Sequence, residues 1–176
     1  MIGEAPTLVG FQDLDQVQDC EFDVVVLSGS NASGGLPERI GEYGDEINFA
    51  KRHKGPLLGI CFGHQLISMA FGGLVSRMQT NLTGFREVNV SILDSIFADL
   101  PEKIIVCEAH SRTVERIPIN FQIIAHTAIG GIEAIRNGSG VIYGLQFHPE
   151  RCSQKYPHGL RVLTNFFNIA HSWLKK

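Results

Sequence analysis

The sequence predicts an α/β fold built on a mostly parallel sheet flanked by helices, and three observations carry that expectation. In the first half, short β-branched runs end in small residues and lead into segments of helical period. In the second half, shorter alternating segments follow one another between turns. An amphipathic stretch then closes the chain, and this order of elements is that of an α/β protein.

Composition fits such a fold. The chain has 176 residues, 44% of them hydrophobic, which suits a single domain over residues 1–176 with one sizeable core. Nineteen glycines against seven prolines point to tight turns rather than disorder. The net charge of −3, without long runs of one sign, gives no support to a broad nucleic-acid-binding surface. No basic stretch leads into an apolar core at the amino terminus, and no apolar run approaches the ~20 residues that span a bilayer. Cys20, Cys61, Cys107 and Cys152 are widely spaced and form no CxxC pair. They read as reduced thiols, and the chain as a soluble cytoplasmic protein that contacts neither membrane nor nucleic acid.

Taken in order, Phe22–Gly29 is a β-branched run with the profile of a buried parallel strand, followed by a polar, Gly-rich loop from Ser28 to Gly35. Leu36, Ile40, Tyr43, Ile47 and Ala50 recur at helical spacing and predict a helix over 36–53, stopped by Gly55-Pro56. Leu57–Ile60 begins a second buried strand, and Phe62–Phe71 a second helix ending at Gly72-Gly73. Residues 74–97 alternate as smaller strands or a hairpin. Further strands are expected over 103–107, 122–126, 132–136 and 141–147. A terminal helix is expected over 159–173, with Leu160, Leu163, Phe166, Phe167 and Ala170 on its buried side.

Two segments carry chemistry. In Leu57-Leu58-Gly59-Ile60-Cys61-Phe62-Gly63-His64-Gln65 a buried strand runs into Gly-x-Cys-x-Gly and then directly into a helix. This is the cysteine form of the nucleophile elbow. Flanking glycines suit a crowded, strained turn, and a sulfur at a helix N-terminus is favoured as thiolate. The Phe62 amide would face the same point and serve an oxyanion, and Gln65 would share the face of the first turn. In the second segment, Ile142-Tyr143-Gly144-Leu145-Gln146-Phe147-His148-Pro149-Glu150, a buried strand ends in an imidazole and a carboxylate two positions apart. On extended backbone these face one side, so Glu150 can orient His148 as a base for Cys61. Either segment alone is also compatible with a structural cysteine or a surface His-Glu pair. Together they point to one site, because open α/β sheets place their sites at such strand ends.

Other groups say less. The Ser28–Gly35 loop exposes backbone amides that could bind an oxyanion, and His110 in Glu108-Ala109-His110-Ser111-Arg112 follows a strand and could line the same cleft. No cofactor signature occurs. His148 and Cys152 have the i,i+4 spacing of helical metal ligands, but Pro149 and the lack of further ligands argue against a metal.

LLGICFGHQLI together with IYGLQFHPE resembles the class I (triad) glutamine amidotransferases, and within them most of all the glutaminase subunit or domain of GMP synthase. The resemblance covers most of the chain from about Phe22. It implies a flavodoxin-like α/β domain that hydrolyses L-glutamine through a cysteinyl thioester and hands ammonia to a separate synthetase. In the GMP synthase branch that partner is an ATP-pyrophosphatase that aminates XMP. By resemblance Cys61 is the nucleophile, His148 the base and Glu150 its orienter. Gly29, with the neighbouring Ser30 and the Phe62 amide, frames the oxyanion and the glutamine, Gln65 contacts the glutamine, and His110, Ser111 and Arg112 hold its α-groups.

The sequence departs from the family in three places. The family opens with a strand and helix ahead of what is Thr7–Phe11 here, so a sheet without that first strand and helix is one expected outcome. Ser28-Gly29-Ser30-Asn31 has no second glycine and proline. No acidic residue closely follows His110, and Arg151-Cys152-Ser153 replaces the usual segment after Glu150. A free-standing γ-glutamyl hydrolase and a non-catalytic module on the same scaffold are therefore the alternatives.

Overall fold

The computed structural model describes residues 5–10, 13–14, 17, 22–30 and 36–176. Cys20 and residues 31–35 of the expected binding loop lie outside them. Seven strands form one sheet: β1 (Val25–Leu27), β2 (Leu57–Ile60), β3 (Leu74–Val90), β4 (Lys103–Arg116), β5 (Phe121–His126), β6 (Ile132–Asn137) and β7 (Ile142–Leu145). Three α-helices accompany them: α1 (Gly44–Arg52), α2 (Phe62–Ala70) and α3 (His158–Leu174). The strand order is β1-β2-β7-β6-β5-β3-β4.

The α/β class is as expected, and the sheet is mixed. β1, β2 and β7 run parallel, with Leu57 beside Ile142 and Ile60 beside Leu145. Every other pairing, from β7–β6 to β3–β4, is antiparallel. The reason is connection length. β2 and β7 are tied to their neighbours through helices or long excursions, whereas the turns between β5, β6 and β7 are too short for a parallel crossover.

Side-chain alternation divides the core into two layers. Leu58, Ile60, Tyr143 and Leu145 point to the side covered by α3, where they meet Val162 and Phe166. Leu57 and Ile142 point the other way, to Phe62, Leu66 and Ile67 of α2 and Ala50 of α1. Each layer buries aliphatic and aromatic surface worth roughly 25 cal/mol per Å² removed from water.

Several elements differ from the expected ones. The first helix is regular only from Gly44, with a 3-10 turn over Ile40–Tyr43 ahead of it. Gly41, a poor helix former, lies in the 3-10 turn, and Gly44 is the residue at which the regular helix starts. Residues 74–90 form one long strand whose pairing with β4 is interrupted between Arg77 and Leu82. β4 likewise continues to Arg116, so His110 lies inside a strand rather than after one. On α3 the buried line is Val162, Phe166 and Ala170. Leu160 is 58% exposed. Asn165 takes the place expected for an apolar contact and donates to the carbonyls of Ile96 and Ala98.

Candidate active site

Cys61 occupies the single residue between β2 and α2 and adopts φ 49°, ψ −98°. This positive φ is unusual for a side chain with a Cβ and is held from both sides. The Cys61 N–H donates to Leu145 O at 2.7 Å, and Cys61 O accepts from the Gln65 N–H at 3.2 Å. The glycines of the motif are required by close approach. A Cβ on Gly59 would sit 2.5 Å from the Gly63 carbonyl group, and one on Gly63 would run into Leu27 O. The tight packing of β1 against the start of α2 therefore admits no side chain there.

His148 follows β7 and is fixed by its own N–H, which donates to Cys107 O at 2.8 Å. Its Nδ1 lies 2.6 Å from Glu150 Oε1. The contact is made by a short 3-10 turn over Pro149–Arg151 rather than by continuous extended backbone. Burial alone would raise the Glu150 pKa, but the hydrogen bond and charge of His148 prevail and hold it below the usual carboxylate value. Gly29, just past β1, separates the two segments. A Cβ on it would fall 2.7 Å from His148 Cε1 and 3.6 Å from Cys61 Cβ. Around this point opens a cavity of about 260 Å³, lined by Gly29, Ser30, Ala109, His148, Glu150 and Arg151 among others.

The sulfur is not a ready thiolate. Burial pushes the Cys61 thiol up to about 11, and the charges of Glu108 and Glu150 add to that rise. The Phe62 amide, which hydrogen-bonds the sulfur, and Arg151 oppose it without prevailing. The expected stabilisation of the thiolate at a helix N-terminus is thus outweighed by desolvation in a site where Cys61 is 5% exposed.

The remaining candidates divide between cavity and interior. Gln65 is buried, and its Nε2 donates to Arg112 O at 3.3 Å and Gln146 Oε1 at 3.2 Å. His110 and Arg112 occupy the inward positions of β4, alternating with Ala109 and Ser111. Arg112 donates to Leu36 O and to Glu38 Oε2, the latter at 3.0 Å. These side chains buttress the wall of the cavity from behind, and Ser111 stands on the opposite face of β4. Gln146 carries no motif in the sequence, yet it connects the site: wholly buried, it accepts from Gln65 and turns its Nε2 toward Cys61 Sγ at 3.8 Å. A polar residue in an otherwise apolar strand end was the available signal.

Behind Cys61 lies a second polar group. His64 is wholly buried against Gly144, with neither ring nitrogen hydrogen-bonded, and burial lowers its pKa to about 3. Glu108, His110 and Glu133 gather beside it. Burial raises the Glu133 pKa well above the carboxylate range, and the adjacent Glu108 adds to the rise. The described cysteines Cys61, Cys107 and Cys152 are free. Among the described residues no helix is long and apolar enough to cross a membrane.

Cys61 stands at a strand-to-helix turn and the His148–Glu150 pair just beyond the neighbouring parallel strand, and the sequence profile of the class-I glutamine amidotransferases matches residues 4–170. The chain belongs to that family. Among its relatives, the glutamine-hydrolyzing subunit of GMP synthase from Pyrococcus abyssi is 39% identical over 159 residues, covering 89% of this chain and 80% of that protein. The corresponding protein of Pyrococcus furiosus is 34% identical over 169 residues, covering 95% and 86%. A crystal structure of a candidate GMP synthase subunit from Thermoplasma acidophilum superposes with a TM-score of 0.80 at 29% identity, covering 93% of this chain and 79% of that one.

Proposed function

We propose that this chain is a single amidotransferase domain that hydrolyses L-glutamine to glutamate and ammonia. It delivers the ammonia to a separate synthetase, an ATP-pyrophosphatase that aminates XMP. The observation that carries the proposal is a cavity lined by Gly29, His148 and Glu150, with Gly29 set between the His148 ring and Cys61. Family membership and the GMP synthase relatives support the substrate and the kind of partner.

A thiol with a pKa of about 11 needs a base, and His148 is placed to be one. The Sγ–H proton passes to the imidazole as sulfur attacks the amide carbon of glutamine. The oxyanion that forms is met by the backbone amides of Gly29 and Phe62. Collapse of this intermediate breaks the C–N bond, and His148 returns its proton to the departing nitrogen, releasing ammonia. Water, deprotonated by the same imidazole, then attacks the thioester, and glutamate leaves as the thiol is restored. Glu150 fixes the tautomer and stabilises the imidazolium through Nδ1. Gln65, Gln146, His110 and Arg112 support the wall, while Ser30 and Ser111 would contact the α-amino and α-carboxylate ends.

The test is glutamate release from L-glutamine by the purified chain, alone and with an XMP-aminating synthetase plus its nucleotides. Release that requires Cys61 and rises with the partner is the expected result. Release from γ-glutamyl peptides without any partner would favour a free-standing hydrolase. Undiminished release by Cys61→Ala would overturn the assignment of the nucleophile.

A further inference from the structure

The inward face of β4 carries a cluster that takes no part in the proton and acyl transfers of the proposed reaction. Glu108 and His110 point into the protein and meet Glu133 of β6, and one ligand atom from each lies within 4.8 Å of the others. All three side chains are buried, at 1%, 6% and 2% exposure. With both carboxyls ionised, neither Glu108 oxygen, nor His110 Nε2, nor Glu133 Oε2 has a hydrogen-bond partner, whereas a protonated Glu133 would be hydrogen-bonded to Glu108. His110 Nε2 approaches Glu108 Oε2 to 3.1 Å without the alignment of a hydrogen bond.

The orientation of His110 makes this arrangement informative. Its Nδ1 lies 2.7 Å from Arg112 O. A carbonyl only accepts, so Nδ1 donates to it, and Nε2 is the ring atom aimed at the two carboxylates. The centre of the cluster is therefore lined by two carboxylates and a ring nitrogen, in a place where unsatisfied polar atoms are costly. A second imidazole, His64, stands within electrostatic reach of His110, and both of its ring nitrogens are also unpartnered.

We propose that Glu108, His110 and Glu133 bind one divalent transition-metal ion of the zinc, manganese or iron(II) class. Carboxylate and imidazole donors without a thiolate suit these ions. Two carboxylates balance the charge of a divalent cation inside the protein. Donors about 2.1 Å from a tetrahedral ion lie about 3.4 Å apart, so the 3.1 Å pair already has the required spacing and Glu133 has only a short way to close. The Nδ1–H bond to a backbone carbonyl is the outer contact by which metal-bound histidines are oriented. No spacing along the chain announces the set, because β4 and β6 are separated in the sheet by β5 and β3. The ion would staple these two strands directly. It would also hold the Ala109 carbonyl, 3.9 Å from Cys61 Sγ, from the side opposite the cavity. The inference stands independently of the proposed nucleophile.

The experiment is metal analysis of the untagged full chain purified without chelator. It is followed by removal of metal, titration with Co²⁺ by visible spectroscopy, and thermal melting before and after addition of Zn²⁺ or Mn²⁺. About one equivalent of metal per chain, Co²⁺ ligand-field bands and a raised melting temperature are expected. Glu108→Gln and Glu133→Gln should weaken Co²⁺ binding by more than about tenfold, whereas Cys61→Ala should retain it. A wild-type chain that shows no Co²⁺ bands and no thermal response would overturn the proposal, leaving a proton shared by Glu108 and Glu133 to neutralise the cluster. Co²⁺ binding that survives both glutamine variants would overturn it equally. If those variants fail to fold, the wild-type titration decides alone.

Discussion

A Cβ on Gly29 would come within 2.7 Å of Cε1 of His148, so the imidazole rests directly on the backbone beyond β1. The imidazole is thus positioned from two sides, by Glu150 at Nδ1 and by bare main chain at the ring edge. Gly29→Ala is expected to push the ring away from Cys61 while leaving the sheet intact. A displacement of this size costs on the order of 100-fold in kcat. Steady-state glutaminase kinetics alongside a melting curve check it, and wild-type kcat in the variant would show that the ring does not depend on this contact.

His148→Ala is expected to lower kcat by about 10²- to 10⁴-fold, the range of a lost general base. Glu150→Gln should cost less, since Glu150 orients the ring and does not transfer the proton. Parallel kinetics on the two variants report the order, and a larger loss in Glu150→Gln would reverse the two roles.

The Cys61 thiol gives a pH signature. Its folded-state pKa of about 11 lies above the ordinary 9.0, so folding favours the protonated form. The associated stability is fully present below pH 9 and is lost as pH rises through 11. The difference amounts to about 3 kcal/mol at the alkaline end. Denaturant melts of wild type and Cys61→Ala between pH 8 and 11 should therefore converge as pH rises, from a gap in which wild type is favoured. A gap independent of pH would mean that the thiol is not desolvated.

On α3 the burial pattern predicts a contrast. Phe166→Ala should destabilise the fold by about 3–5 kcal/mol, because Phe166 is wholly buried among Tyr143, Leu145 and Val162. Leu160→Ala should stay within about 0.5 kcal/mol, as expected of an exposed side chain. Urea titrations of both distinguish this line from the one read off helical spacing alone.

That contrast shows where the sequence was legible. Gly59-x-Cys61-x-Gly63 announced its turn because Gly59 answers a local steric demand between the strand and the helix that follows, while Gly63 clears the way for Leu27 of β1. His148 and Glu150 were visible for the same reason, lying two positions apart at a strand end. What stayed hidden depends on partners distant in the chain. Helical spacing put Leu160 on one face with Leu163 and Phe167, which do pack against the core, but it could not say how that face is rotated against Ile96 and Ala98, and the rotation leaves Leu160 exposed. The antiparallel half of the sheet was hidden because alternation records burial and not the direction of the neighbour. The inward turn of His110 and Arg112 followed from the length of β4, which charged residues on its buried face disguised. Gln146 and Glu133 were invisible because their significance lies in what faces them.

The bond from the Cys61 N–H to Leu145 O has a consequence for biosynthesis. β2 emerges from the ribosome long before β7, which must insert beside it to complete the parallel core. Until then the strained cysteine turn lacks one of its two backbone anchors, and His148 and Glu150 have not been made. A nascent or prematurely terminated chain therefore cannot hold Cys61 as the folded protein does. By the order in which its strands are synthesised, the protein completes this turn only when translation is nearly finished.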